Sequence, residues 1–284
     1  KISHCGDKGV LTITPPPYDP AKKGHYIIVL DKSGSMNRSA ELTVTNDSEK
    51  HGWSYLDIAK HAATTAFMSL SEQDIATFIT YSDTATSVFQ NLACTAGNKN
   101  ATTDMVYNVR CGGGTNFSEA LAMIESVVSH AQCADHVQIM FFTDGYPSYY
   151  DSTTFCAFKD NIRKVFNNTC FTTFAVGNDV DSKLLSQMGH AFLHISDPSM
   201  VGEILCSNLA TMKLFARWCD ISITTSNNSN NVMLGDFSSM LRHGQDKTFS
   251  FIFHDDRGVA PVVLVDGESV VNIERVTTEE WERK

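Results

Sequence analysis

The sequence predicts an α/β fold, a doubly wound and mostly parallel sheet inserted into a small antiparallel β-sandwich. Three observations predict it. Apolar runs at 26–30, 76–80, 137–142, 171–176 and 191–195 are too continuous for half-exposed strands and suit parallel strands covered on both faces. Helical spacing of apolar residues fills the gaps at 53–71, 117–131, 155–166, 181–188 and 199–215, so strand and helix alternate. The flanks follow a shorter period, alternating apolar and polar residues at 9–14, 220–224, 248–253, 260–265 and 269–276.

Taken in order, the alternating run 9–14 stops at Pro15-Pro16-Pro17, because proline has no N–H to give a ladder. One strand cannot make a sheet, so it is expected to join the C-terminal strands, with the α/β domain inserted between them. The domains are then 1–22 and 216–284, forming the sandwich, and 23–215, whose two ends lie close together. The first parallel strand ends at Asp31. Residues 37–52 read as a long polar loop, either partner-specific or merely mobile. The last strands are separated by the turn signals Asn227-Asn228-Ser229-Asn230, Asp255-Asp256-Arg257-Gly258 and Asp266-Gly267. Crossovers between parallel strands are right-handed, and ligands collect at the strands' carboxyl ends, where Asp31 and Asp144 stand.

A hydrophobic content of 42% with 19% charged residues is that of a folded chain, and no apolar stretch approaches the ~20 residues of a membrane-spanning helix. A net charge of −10 without a basic, aromatic-studded stripe argues against nucleic acid as a partner. The eight cysteines, Cys5, Cys94, Cys111, Cys133, Cys156, Cys170, Cys206 and Cys219, are scattered without Cys-x-x-Cys pairs. They read as free thiols rather than a disulfide framework, with Cys170 and Cys206 as core examples. Asn37, Asn46, Asn100, Asn116, Asn167 and Asn227 each begin an Asn-x-Ser/Thr triplet. A glycan on Asn37 or Asn116 would crowd Ser35 or Thr115, which favours an intracellular location. The chain opens at Lys1 without a charged-then-apolar leader, so it reads as an excised fragment, and a removed leader would make it extracellular.

Three loops carry the chemistry: Asp31-Lys32-Ser33-Gly34-Ser35, Gly113-Gly114-Thr115 and Thr143-Asp144-Gly145, each expected to follow a buried strand. Two carboxylates and three hydroxyls are hard oxygen donors, suited to a small divalent cation and poorly suited to zinc or copper. Gly34 lets the first loop turn tightly.

This trio resembles the metal-ion-dependent adhesion site of the von Willebrand factor A (VWA) family, with Asp31, Ser33, Ser35, Thr115 and Asp144 at its five positions. Residues 53–57 with Ala62-Ala63 are similar to the first helix of VWA proteins that carry a β-rich extension. Residues 192–198 with Val201-Gly202, and Gly244-Gln245 before 248–253, resemble the last strand and helix and the extension of that type. The resemblance implies a Rossmann-like VWA sheet and a Mg²⁺ ion, for which Mn²⁺ or Ca²⁺ can substitute. It implies direct ligation by Ser33, Ser35 and Thr115, with the aspartates acting through water. A free coordination position would take an Asp or Glu carboxylate from a partner protein, as in adhesion or complex assembly. Asn37 and Arg38 stand where β-type integrin domains place acidic ligands for an adjacent Ca²⁺, so no second ion is expected there.

The expectation is therefore a monomeric, Mg²⁺-dependent protein-binding module and not an enzyme. A metal-assisted hydrolase lacks a base, since no histidine belongs to the loops and His25 lies at the far end of the first strand. Gly-x-Ser-x-Gly and the phosphate loop are absent. A structural scaffold without a metal-dependent ligand is the other alternative. His130, Cys133 and His136 offer a weaker zinc candidate, three ligand types spaced along a helix end. Lys32 is either a solvated loop residue or a contact for the partner's carboxylate. Tyr146, Pro147, Tyr149 and Tyr150 either present aromatic contacts to a partner or pack locally.

Overall fold

The computed structural model describes residues 2–5, 8–44, 47–131, 134–148, 152–165, 168–178, 180–196, 198–224, 232–234, 238–252, 262–265, 268–269 and 273–275. The chain divides into two compact units, Pro20–Lys213 and the pair of flanking segments Lys1–Asp19 and Leu214–Lys284.

In the first unit the elements run β1 (Gly24–Asp31), α1 (Tyr55–Met68), β2 (Ile75–Tyr81), β3 (Ala85–Ala93), α2 (Ala96–Tyr107), α3 (Phe117–Ser129), β4 (His136–Thr143), α4 (Ser152–Val165), β5 (Thr169–Val176), α5 (Ser182–Met188), β6 (Ala191–Ile195) and α6 (Val201–Lys213). The strands form one six-stranded sheet in the order β6-β5-β4-β1-β2-β3. All neighbours pair in parallel except β2 and β3. The winding reverses at β1, which has β4 on one side and β2 on the other, and this switch point is where open α/β sheets place their ligands.

The apolar runs are continuous because both faces are covered. Along β1, Tyr26, Ile28 and Leu30 enter one core with α1 and α6, while Ile27 and Val29 enter the other with α3, α4 and α5. Strand β4 divides in the same way, with Met140 and Phe142 on one side and Ile139 and Phe141 on the other. Small residues let α1 lie close to the sheet: Ala59, Ala62, Ala63 and Ala66 are all fully buried. The helix starts two residues later than its apolar pattern suggests. Ser54 caps it, bonding reciprocally with Asp57 in a capping box.

Several elements differ from the sequence reading. Residues 37–52, expected as a loop, include most of a hairpin of Ser39–Val44 and Asp47–Ser54. Strand β3 and helix α2 were not anticipated. Edge strand β3 is mostly half-exposed or exposed, so it lacks a continuous apolar run. Helix α2 (AGNKNATTDMVY) is polar and buries only Lys99 and Val106. What fastens it is a reciprocal pair of buried lysines. Lys99 Nζ donates to the carbonyls of Met68 at 3.0 Å and Leu70 at 2.6 Å, at the C-terminus of α1. Lys60 Nζ, from α1, donates to the Tyr107 carbonyl at 3.1 Å, at the C-terminus of α2. Each helix thus supplies a cation where the other's carbonyls lack helical partners. Among the described cysteines, Cys94, Cys111, Cys170 and Cys206 are free thiols; Cys170 is buried, but Cys206 lies exposed on α6 rather than in the core.

The flanking unit holds two sheets. One runs in the order Val232–Leu234, Lys247–Ile252, Lys8–Ile13, Ile2–Cys5, Ile273–Arg275, and the other in the order Ser238–Arg242, Phe215–Thr224, Val262–Val265, Glu268–Ser269. Leu11 opposes Phe249 where the N-terminal strand pairs with Lys247–Ile252, and both side chains are buried. The pairing is not wholly antiparallel, because Ile2–Cys5 runs parallel to Ile273–Arg275. Beyond the prolines, the Pro16 carbonyl accepts from Gly244 N–H at 3.1 Å and from His243 Nδ1 at 2.9 Å. The turn signals at 227–230, 255–258 and 266–267 lie outside the described residues.

Two predictions follow from buried polar groups of the sheet domain. Lys99→Met keeps the aliphatic stem but strips two helix-end carbonyls of their donor, so the unfolding free energy from urea titration should fall by about 2 kcal/mol. An unchanged midpoint would mean the carbonyls find other partners. The second concerns His25, buried at the start of β1 with Nε2 2.9 Å from Thr77 Oγ1. Burial pulls its pKa down from 6.5 to about 4. The unfolded chain therefore takes up a proton that the folded one refuses, and stability should fall as pH drops from about 6.5 to about 4, by about 3 kcal/mol in all. His25→Gln should flatten that part of the pH profile, and an equally steep profile in the variant would assign the slope to other groups.

Candidate metal centre

The carboxyl ends of β1 and β4 adjoin at the switch point, and Asp31 and Asp144 stand there, both fully buried. Their surroundings differ. Asp31 Oδ1 accepts the Ser33 N–H at 2.8 Å, and Oδ2 accepts the hydroxyls of Thr143 at 2.7 Å and Tyr81 at 3.1 Å. Neither oxygen of Asp144 has a hydrogen-bond partner. Burial pushes the Asp31 pKa up to about 6, against the bonds from Ser33 and Thr143, and the Asp144 charge pushes the same way as burial. Tyr81 is held well above its usual value by burial and by the Asp31 charge.

The first loop bends straight after Asp31. Ser33 and Ser35 turn back on each other, their Oγ atoms 3.1 Å apart, Ser33 buried and Ser35 half-exposed. Backbone bonds fasten this loop to the glycine-rich one: Gly34 N–H donates to Gly113 O at 3.0 Å, and Gly112 N–H to Lys32 O at 2.8 Å. Lys32 N–H in turn donates to Tyr81 O at 2.9 Å, joining the loop to the end of β2. The third loop meets the second where Ser148 N–H donates to Thr115 O at 2.9 Å. The structure therefore brings the three motif loops to one end of the sheet, with Thr115 buried among them.

The residues present fit a hard dication on an observation independent of the motif. A carboxylate buried with both oxygens unpaired is costly by itself, and beside a second carboxylate doubly so. Close hydroxyls supply neutral donors of the same hard class. Among the described residues no cluster of three or more His, Cys, Asp or Glu side chains is placed to hold a metal, so hydroxyl oxygens would have to complete any coordination here.

Other candidates are scattered. His130 is exposed at the end of α3 with Nδ1 2.7 Å from Ser126 O, His136 is buried at the start of β4, and Cys133 lies outside the described residues. His25 sits at the opposite end of β1 from Asp31. Tyr146 is 43% exposed beside the site, Pro147 is half-buried, and Tyr149 and Tyr150 lie outside the described residues. Asn116 uses its side-chain oxygen to cap α3, accepting from Ser118 and Glu119 N–H. Sequence reasoning missed Tyr81 and Thr143, which orient Asp31. Thr143 had a signal, lying beside Asp144 at a strand end, whereas Tyr81 reads as one more apolar strand residue.

Residues 26–147 match the family model of the von Willebrand factor type A domain. The inserted unit has the von Willebrand factor type A fold. Among solved structures the chain resembles a von Willebrand factor type A protein from Catenulispora acidiphila, at 15% identity and TM-score 0.70 over 91% of this chain and 64% of that one. It resembles the pilus adhesin SpaC of Lactobacillus rhamnosus GG at 11% identity and TM-score 0.51, covering 90% of this chain and 44% of the adhesin. It also resembles proximal thread matrix protein 1 of the mussel byssus, in a structure whose adhesion-site motif is occupied by zinc. There the identity is 15% and the TM-score 0.51, over 70% of this chain and 48% of that one. The chain thus spans less than two thirds of each of these proteins. No curated protein matches it in sequence.

The two carboxylates of the VWA domain should separate in chelator. Asp31→Ala removes the acceptor of two buried hydroxyls and should cost about 1–3 kcal/mol of metal-free stability. Asp144→Ala removes an unpaired buried charge and should leave metal-free stability unchanged or higher. Thermal unfolding in EDTA reads both, and equal losses would contradict the asymmetry.

Proposed function

We propose that the VWA domain is a divalent-cation-dependent protein-binding module whose ion is held by Asp31, Ser33, Ser35, Thr115 and Asp144 and accepts an acidic side chain from a partner protein. The carrying observation is the Asp144 carboxylate, buried with both oxygens unpaired beside a loop that turns two hydroxyls together. The ion, when bound, supplies positive charge and an open coordination position for a carboxylate oxygen. Ser33, Ser35 and Thr115 offer neutral oxygens. Asp31, already engaged by three donors, is suited to act through water. Asp144 has every lone pair free to compensate the ion's charge. Mg²⁺ is the expected occupant, with Mn²⁺ or Ca²⁺ able to replace it. The likeness to an adhesin and to a matrix protein favours interaction over catalysis, and no histidine lies in the three loops to serve as a base. We read the flanking strands as the β-sandwich extension of this type of VWA protein, bounding the domain near residues 22 and 215, and the molecule as a monomer.

The test is thermal unfolding of the wild type and Asp144→Ala across separate titrations of Mg²⁺, Mn²⁺, Ca²⁺ and Zn²⁺. An ion bound only by the folded chain adds RT ln(1 + [L]/Kd), about 2.7 kcal/mol at a hundredfold excess over Kd. The wild type alone should be stabilised. Absence of any shift up to millimolar ion would remove the metal from the proposal and leave a scaffold module.

A further inference from the structure

Beyond the five oxygen-bearing residues, two polar side chains fasten the segment that carries Thr115. Asp83 lies in the turn between β2 and β3, and its Oδ1 accepts the Gly114 N–H at 2.9 Å. The same turn engages the residue after Thr115: Asn116 N–H donates to Ser82 O at 2.8 Å and Asn116 Nδ2 to Asp83 O at 3.4 Å. Ser148 acts from the loop after Asp144. Its Oγ accepts the Thr115 N–H at 3.1 Å, and its own N–H donates to Thr115 O at 2.9 Å. Both backbone groups of Thr115 are thus bonded by one residue, while its neighbours on either side are bonded to the β2–β3 turn.

The glycines before Thr115 fit this arrangement. Gly113 has φ +82°, and a Cβ there would run into the Asp83 carboxylate. A Cβ on Gly114 would lie 2.8 Å from Asp83 Oδ1 and 3.3 Å from Ser148 Oγ. Both glycines leave room for the two side chains that immobilise the loop. Three glycines in a row have the most backbone freedom to lose, so without such bonds the Thr115 hydroxyl would be spread over many positions. A ligating oxygen acts only when held to within about half an ångström.

We propose that Asp83 and Ser148 are positioning residues for Thr115, holding its hydroxyl where the cation and the incoming carboxylate need it. This rests on the reading of the site as a metal centre. Neither side chain needs to touch the ion. Both act through the backbone of a ligand, as outer-shell partners do in metal sites, where their loss weakens metal binding by roughly 10–100-fold.

The test has two arms on the full chain. The first reads amide hydrogen exchange without metal. Asp83→Ala should speed exchange at Gly114, Asp83→Asn, which keeps an acceptor, should restore the slow rate, and Ser148→Ala should speed exchange at Thr115. Unchanged rates in both alanine variants would overturn the proposal whether or not the site binds metal. The second arm measures Mn²⁺ affinity by titration calorimetry in a double-mutant cycle. Asp83→Ala should weaken Mn²⁺ binding roughly tenfold in the wild type and have little further effect in Thr115→Ala, because the two act through one ligand. Full additivity with Thr115→Ala would overturn it. Wild type that ignores Mn²⁺ would defeat the metal-centre reading, and with it the role given to the latch, while the exchange arm would still decide whether the latch holds the loop.

Discussion

Asp144 lies buried with no donor to either carboxylate oxygen, close enough to Asp31 for its charge to raise the pKa of that residue. Two like charges in a poorly solvated place raise the free energy of the folded chain unless a proton or a cation joins them. The protein meets half of this demand itself. Asp31 is surrounded by the Ser33 amide and the Thr143 and Tyr81 hydroxyls, so its charge is spread over three donors. Asp144 has no such set, and this unmet demand is what the proposed cation would meet.

The fold tolerates this because the two carboxylates close strands that are packed on both faces. Strands β1 and β4 are buried along their whole lengths between two apolar cores. Their shared carboxyl end lies where the winding reverses, the place where open α/β sheets bind their ligands. The loops above are tied to one another by backbone bonds, first loop to second and second to third. Charged groups can remain close there, since relaxing apart would require unpairing strands whose side chains are buried on both faces.

The sequence made the continuous part of this legible and hid the rest. A strand covered on both faces must be apolar throughout, so all strands of the central sheet except β3 could be read, and an Asp closing such a run could be placed at the site end. Edge strand β3 carries no such run. Helix α2 is held by Lys99 and Lys60 reaching carbonyls on a neighbouring helix, which no spacing rule detects. That Asp31 and Asp144 are both buried yet differently surrounded was hidden in the sequence for a related reason. Burial at a strand end depends on what the other loops cover, and Tyr81 and Thr143 single out Asp31 only after β1, β2 and β4 have been laid side by side. Asp83 and Ser148 were equally silent, as their partners are backbone amides far away in sequence.

The distribution of these charges bears on how an acidic partner could approach a chain of net charge −10. Average repulsion is screened beyond about 8 Å at physiological salt, so the local arrangement decides. Both carboxylates that would compensate a bound cation are completely buried, whereas Lys32 and Ser35, in the loop after Asp31, are half-exposed and Tyr146, two residues after Asp144, is exposed. The compensating charge therefore lies on the protein side of the site, and of the three hydroxyl residues Ser35 is the one that reaches solvent, Ser33 and Thr115 being buried. A dication placed among them would be nearly balanced in total charge and yet positive towards the outside. That asymmetry would let one carboxylate bind at a single point on an acidic surface, and it depends on Asp31 and Asp144 staying more deeply buried than Ser35.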